Sequence, residues 1–142
     1  DLLPNRDGDY KFSWDKMLSL KGNTAPYLLN AYVRTRAIFR KLDGSVELTS
    51  DVALTEPAEL TLAMKLAQFA EITHDVLLDH KPNLLATYLY ELANTYHSFY
   101  EACHVINSTG VVRNTRLLLC DATSKVLGSG LSLLGIRTTE KM

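Results

Sequence analysis

The sequence predicts an all-α bundle of four to five main helices, and three observations point there. Apolar residues recur at three- and four-residue steps over long stretches. Proline and turn-forming residues punctuate those stretches where helices would start and stop. No strand-like alternation of any length interrupts them, and there is no internal repeat or low-complexity tract.

The elements follow in order. Asp1–Asp9 reads as an irregular lead-in, with Pro4, Asn5, Asp7 and Gly8 as turn formers. Trp14–Leu20 suits a short helix. Gly22, Asn23 and Thr24 then make a break and a cap, and Pro26 fits a first helical turn. That helix is expected to run to about Leu42 and stop near Gly44, with Tyr27, Leu28, Ala31, Ile38, Phe39 and Leu42 as its apolar residues. Ser45–Asp51 reads as a loop. Thr55, with Pro57 two residues on, opens a helix through Phe69, and Glu71–Leu78 is a further helical segment. Lys81, Pro82 and Asn83 reset the chain before the longest aromatic stretch, Pro82–Ile106, which Asn107–Gly110 ends. The last helix spans Val112–Leu134. Gly128 and Gly130 inside it would each weaken an isolated helix by about 1 kcal/mol relative to Ala, so close packing is expected around them. Gly135 ends it, leaving the tail Ile136–Met142.

The aromatic stretch carries two lines of residues. Leu85, Tyr88, Leu89, Leu92, Tyr96, Phe99, Cys103 and Ile106 fall on one side of a helix and serve a core. Beside them run Tyr90, His97, Tyr100 and His104, with the small Ala93 between. A core helix does not need that second line. Rings bordering a buried face offer a surface on which unstacked bases can lie, and they are also ordinary amphipathic boundary residues.

Composition limits the function classes. With 142 residues the chain is long enough for one domain with a real core. A hydrophobic share of 46% and a charged share of 22% are ordinary for globular proteins. No apolar run is long enough for a membrane span, and Asp1–Pro4 does not read as a signal peptide. The chain lacks an initiator Met and reads as a piece of a longer protein. The net charge of -1 argues against non-specific nucleic-acid binding, so such a role must rest on local patches. Arg34, Arg36, Arg40 and Lys41 form one candidate patch, or else a solvated helix face. Cys103 and Cys120 read as reduced core thiols of a cytosolic protein.

Catalytic motifs are weak. No phosphate-cradling glycine loop and no nucleophile elbow occur. His97, Glu101 and His104 share a helix side, but helical bundles usually gather metal ligands from several helices, often through Glu-x-x-His pairs, and no such pair occurs. Cys103 with His74 or His80 would make a thiol and a base, yet Cys103 lies on the apolar stripe, where a thiolate is disfavoured. Asp7-Gly8-Asp9 is too short for a calcium loop.

Several spaced segments, in order, resemble the C-terminal region of arginyl-tRNA synthetases. They are Asp9-Tyr10-Lys11-Phe12, Trp14–Leu18, Gly22–Leu28, Ala31-Tyr32 with Arg34, Phe39-Arg40-Lys41, Leu66–Phe69, Leu85–Leu92, Ser98-Phe99-Tyr100, Leu133–Ile136 and Glu140-Lys141-Met142. The resemblance implies a lead-in from the catalytic module over residues 1–22 and a helical anticodon-binding domain, of the class I synthetase type, over 23–142. The Asp-Ala-Leu-Arg tetrapeptide for which the domain type is named would lie upstream. The resemblance further implies that Tyr100, His104, Met142 and Arg34 contact the anticodon of tRNA(Arg). Arg36 and Arg40 are possible phosphate contacts. His104 stands where some members carry Trp, Asn30 where many carry Tyr, Leu29 where many carry Gln, and Lys141 where Arg is frequent. On this reading the fragment holds no catalytic site, cofactor or metal. ATP with Mg belongs to the full-length, cytoplasmic ligase, whose upstream class I module is a partner in cis, and neither DNA nor membrane is a partner. The alternatives are a helical protein–protein module reusing the bundle, or a stand-alone metal-dependent enzyme using His97, Glu101 and His104.

Overall fold

The computed structural model describes residues 4–5, 7–9, 12–20, 22–42 and 48–141. Met142, Gly44, the first part of the expected Ser45–Asp51 loop and much of the lead-in lie outside the described residues. The described residues form six helices: α1 (Trp14–Met17), α2 (Ala25–Lys41), α3 (Pro57–Ala67), α4 (Phe69–Asp79), α5 (Pro82–Ala102) and α6 (Gly110–Leu133). No strand occurs among them. Five main helices and one short one match the expected all-α bundle.

Local sequence explains the starts. Thr24 has extended backbone before α2, and Pro26 sits in the first turn, where its missing N–H costs nothing. Helix α3 opens with a capping box. The N-cap is Glu56, one residue after the expected Thr55, Pro57 follows it, and the Glu59 carboxylate turns back to accept from the Thr55 and Glu56 backbone N–H groups at 2.7 and 3.1 Å. Gln68 separates α3 from α4 without a loop, so Phe69 opens the second helix and does not close the first. The Phe69 ring then stacks on Tyr88 at 5.9 Å.

Helix α5 is the axis of the bundle, touching α2, α3, α4 and α6. Leu85, Tyr88, Leu89, Leu92, Tyr96 and Phe99 are all buried on it, as the first apolar line requires. Tyr88 keeps its hydroxyl satisfied by donating to the Lys65 carbonyl at 2.9 Å. Against this axis lies α6. A Cβ on Gly130 would stand 2.5 Å from Leu89 Cδ2, so only glycine lets the two helices approach this closely. Gly128 is less constrained, its virtual Cβ lying 3.3 Å from the Tyr32 ring.

Two boundaries differ from the sequence expectation. Helix α1 stops at Met17 rather than Leu20. Trp14, Leu18 and Leu20 are all mostly exposed, so a longer helix would have no face to bury. The aromatic helix stops at Ala102 rather than Ile106. Cys103 adopts extended backbone, and Cys103 and Val105 both turn inward, 1% and 4% exposed, while His104 and Ile106 turn outward. Cys103 breaks the helix, and Val105–Asn107 then form a turn, with the Ser108 hydroxyl donating to the Val105 carbonyl at 2.7 Å. Ile106 is therefore not part of the core stripe, and His104 follows the helix instead of riding on it.

Candidate nucleic-acid interface

Where α5 ends, the segment Cys103–Asn107 borders a half-open groove of about 220 Å³ lined by Ile38, Tyr100, Cys103, His104, Val105, Ile106 and Asn107. Tyr100, in the last turn of α5, is 37% exposed. Behind it lies the buried ring of Tyr96, 6.2 Å away. The Arg34 guanidinium, from α2, stands 5.2 Å from the Tyr100 ring centroid, within cation–π range. A planar cation, an exposed phenol ring and an apolar floor suit a flat, partly polar ligand.

The wall carrying His104 is braced from below. Arg116 of α6 donates through Nη1 to the His104 carbonyl at 3.3 Å and through Nε to Glu59 at 2.6 Å. Glu59 is fully buried. Burial pushes its carboxyl up, but the hydrogen bond from Arg116, the backbone N–H groups of Thr55 and Glu56 and the Arg116 charge together hold it below the usual glutamate range. One carboxylate thus caps α3 and, through Arg116, fixes the groove wall.

The remaining members of the bordering line face α2. The Tyr27 hydroxyl donates to Asn94 Oδ1 at 2.5 Å and lies 2.9 Å from His97 Nδ1. With its proton on Asn94, that hydroxyl accepts from Nδ1–H, which leaves His97 Nε2 buried and without a partner among the described residues. Burial, then the charge of Arg34, hold the His97 pKa below its ordinary range, against the pull of Glu101. Tyr90 packs on Tyr27 with centroids 5.4 Å apart. Tyr90 and His97 therefore join α5 to α2, while Tyr100 stays open.

Burial disfavours the thiolate form of both cysteines. Both cysteines are free and buried. Burial raises Cys103 and pushes Cys120 up to about 12. Among the described residues no three His, Cys, Asp or Glu side chains gather as a metal site would require.

The tail returns toward α2. Leu134 caps α6, Gly135 takes φ +74, and the Gly135 and Ile136 N–H groups donate to the Ser132 and Leu131 carbonyls at 3.0 and 2.9 Å. This Schellman turn ends the helix sharply and seats Ile136 against the core. Farther along, Glu140 meets two arginines of α2. Arg36 Nε donates to its carboxylate at 3.2 Å, and Arg40 Nη1 donates to its backbone carbonyl at 2.5 Å.

Among the residues expected to act together, Tyr100 and His104 line the groove and Arg34 stands over the Tyr100 ring. Arg36 and Arg40 do not share a patch with Arg34, because two and six positions on from it they lie about 160° and about 120° away around the helix axis. Met142 lies outside the described residues. Sequence reasoning missed Glu59, Arg116 and the pairing of Glu140. Glu59 had only a partial signal, lying four residues after the expected Thr55 start, whereas the capping-box signature puts Ser, Thr, Asp or Asn three residues ahead of the Glu. Arg116 and Glu140 had none, since their partners lie 57 and 104 residues away.

Comparison with known proteins places this geometry. The chain is 48% identical over 143 residues to an arginine–tRNA ligase of Haemophilus ducreyi, covering 100% of this chain and 26% of the relative. It is 48% identical over 144 residues to the arginine–tRNA ligase of Synechocystis sp., covering 25% of that protein. The chain thus spans about a quarter of the length of these curated relatives. Among solved structures, arginyl-tRNA synthetase of Plasmodium falciparum superposes over 100% of this chain and 25% of its own, with TM-score 0.85 and 36% identity. The Thermus thermophilus arginyl-tRNA synthetase covers 92% of this chain and 23% of its own, with TM-score 0.82 and 31% identity. Residues 28–142 match the family model of the DALR anticodon binding domain, and the chain belongs to that family.

Proposed function

We propose that this chain is the anticodon-binding part of an arginine–tRNA ligase, acting in the cytoplasm. Residues 23–142 form the recognising domain and residues 1–22 lead in from an upstream class I catalytic module. That module would bind ATP with Mg and attach arginine to tRNA(Arg), and nothing in this chain performs the chemistry. The observation that carries the reading is the groove at the end of α5, with Tyr100 exposed beneath the Arg34 guanidinium.

Anticodon bases sit in a loop and can be splayed out of their stack. Tyr100 offers one base a ring to lie on, and Arg34 adds a second planar surface and donors for a base edge. His104 flanks the same opening, and on the family resemblance Met142 would act here too. Arg36 and Arg40 retain donors beyond those directed at Glu140 and would steady phosphates near the tail.

The test is steady-state charging of tRNA(Arg) by the full-length enzyme. Tyr100→Ala should raise KM for tRNA about tenfold, consistent with a base–aromatic stack of about 1–3 kcal/mol. Helical content should be unchanged, because the ring is partly exposed. Unaltered charging kinetics would overturn the assignment and point to a protein-interaction role for the bundle.

A further inference from the structure

We propose that Arg116, oriented by Glu59, is a positioning residue for tRNA recognition, holding His104 at the edge of the groove where an anticodon base enters. This rests on reading the groove as the anticodon site.

Helical hydrogen bonding stops fixing the backbone where α5 ends. The Cys103 N–H donates to the Phe99 carbonyl at 2.8 Å, closing the helix. The His104 ring is exposed and has no hydrogen-bond or ion-pair partner among the described residues, so its direction is inherited from its backbone. Cys103 and Val105, 1% and 4% exposed, anchor that backbone from within. Between them the His104 carbonyl accepts from Arg116 Nη1 at 3.3 Å.

One guanidinium serves two acceptors from a rigid plane. Its Nε donates to Glu59 Oε1 at 2.6 Å while Nη1 reaches His104. Glu59 cannot turn freely, because its Oε2 accepts from the Thr55 and Glu56 N–H groups at 2.7 and 3.1 Å and from the Thr55 hydroxyl at 3.3 Å. The plane of Arg116 is therefore set by the start of α3 and passed to the groove wall. Asn114 and Thr115, just ahead of Arg116, hold a different segment. Asn114 accepts from the Thr49 N–H at 2.9 Å and donates to the Thr49 and Asp51 carbonyls at 3.1 and 2.7 Å, and the Thr115 hydroxyl accepts from the Ala53 N–H at 2.8 Å.

Steady-state charging by the full-length enzyme tests this. Arg116→Lys keeps the positive charge against Glu59 and gives up the planar fork. It should raise KM for tRNA(Arg) roughly threefold to tenfold and leave kcat, and KM for ATP and arginine, within about twofold. Asn114→Ala removes three hydrogen bonds from the same stretch of α6 and none from the wall. It should lower the melting temperature and leave KM for tRNA unchanged. In a double-mutant cycle, Arg116→Lys should add little to His104→Ala, because Arg116 acts through the residue it positions. Wild-type KM in Arg116→Lys, with Tyr100→Ala impaired, would overturn the positioning role and leave the groove reading intact. Multiplying effects in the cycle, a neutral His104→Ala, or an equal rise in KM for Asn114→Ala would do the same. If Tyr100→Ala also charges normally, the groove reading falls and the role of Arg116 falls with it.

Discussion

Glu59 and Arg116 are the residues on which both stability and groove geometry converge. The pair is 0% and 12% exposed, with 2.6 Å between Oε1 and Nε. Removing one partner of a buried pair leaves an unpaired charge and costs about 3–5 kcal/mol. Arg116→Met should therefore lower the urea-unfolding stability of the chain by about that amount near neutral pH. It should also loosen the wall that carries His104. The pH dependence has a definite sign. The folded Glu59 carboxyl is held below its unfolded value, so its contribution is complete above the unfolded glutamate pKa of about 4.3. That contribution is lost as pH falls through the lower folded value. In Arg116→Met the largest remaining influence is burial, which raises the carboxyl, so the acid loss of stability should move to higher pH. Urea midpoints measured across the acid range check both points.

At the scale of elements, α5 and α6 show what a sequence carries and what it leaves out. The apolar line from Leu85 to Phe99 was legible because helical spacing repeats and every member is buried. Cys103 and Ile106 continued the same spacing, yet the helix had already ended. Nothing in the spacing separates a continuing helix from a helix end followed by a turn in which Cys103 and Val105 are buried. The tertiary bond from Arg116 to the His104 carbonyl favours the second. Close packing at the glycines of α6 was expected at both sites but is severe only at Gly130. An Ala there gains about 1 kcal/mol of helix propensity and loses about 1–3 kcal/mol to overpacking against the fully buried Leu89. Gly130→Ala should be destabilising by roughly 1 kcal/mol in thermal or urea melts. Gly128→Ala, with a tight but single contact at a half-buried ring, should be near neutral or slightly stabilising.

The whole molecule divides its cationic helix between two tasks. The basic run of α2 reads in sequence as one patch, because Arg34, Arg36 and Arg40 are close in number. Folding splits it by helical phase, Arg34 to the Tyr100 ring and the other two to the tail. At this scale the bundle architecture, the Tyr100–His104–Arg34 neighbourhood and the tail were legible. The braces that fix them were not, since those depend on contacts distant in sequence. The lead-in is the counterpart of this well-packed bundle. Trp14, the chain's single tryptophan, is 68% exposed and touches the edge of Phe12, which is 56% exposed, at 4.9 Å. It therefore stands outside the cooperative core. Its fluorescence should already show the red-shifted emission of a wet indole in this chain, and should barely change as the helical circular dichroism collapses on heating. A large emission shift coincident with that collapse would contradict this placement. In a complete enzyme in which an upstream module packs against residues 12–20, the same indole becomes an optical reporter of domain docking, with its emission moving to the blue.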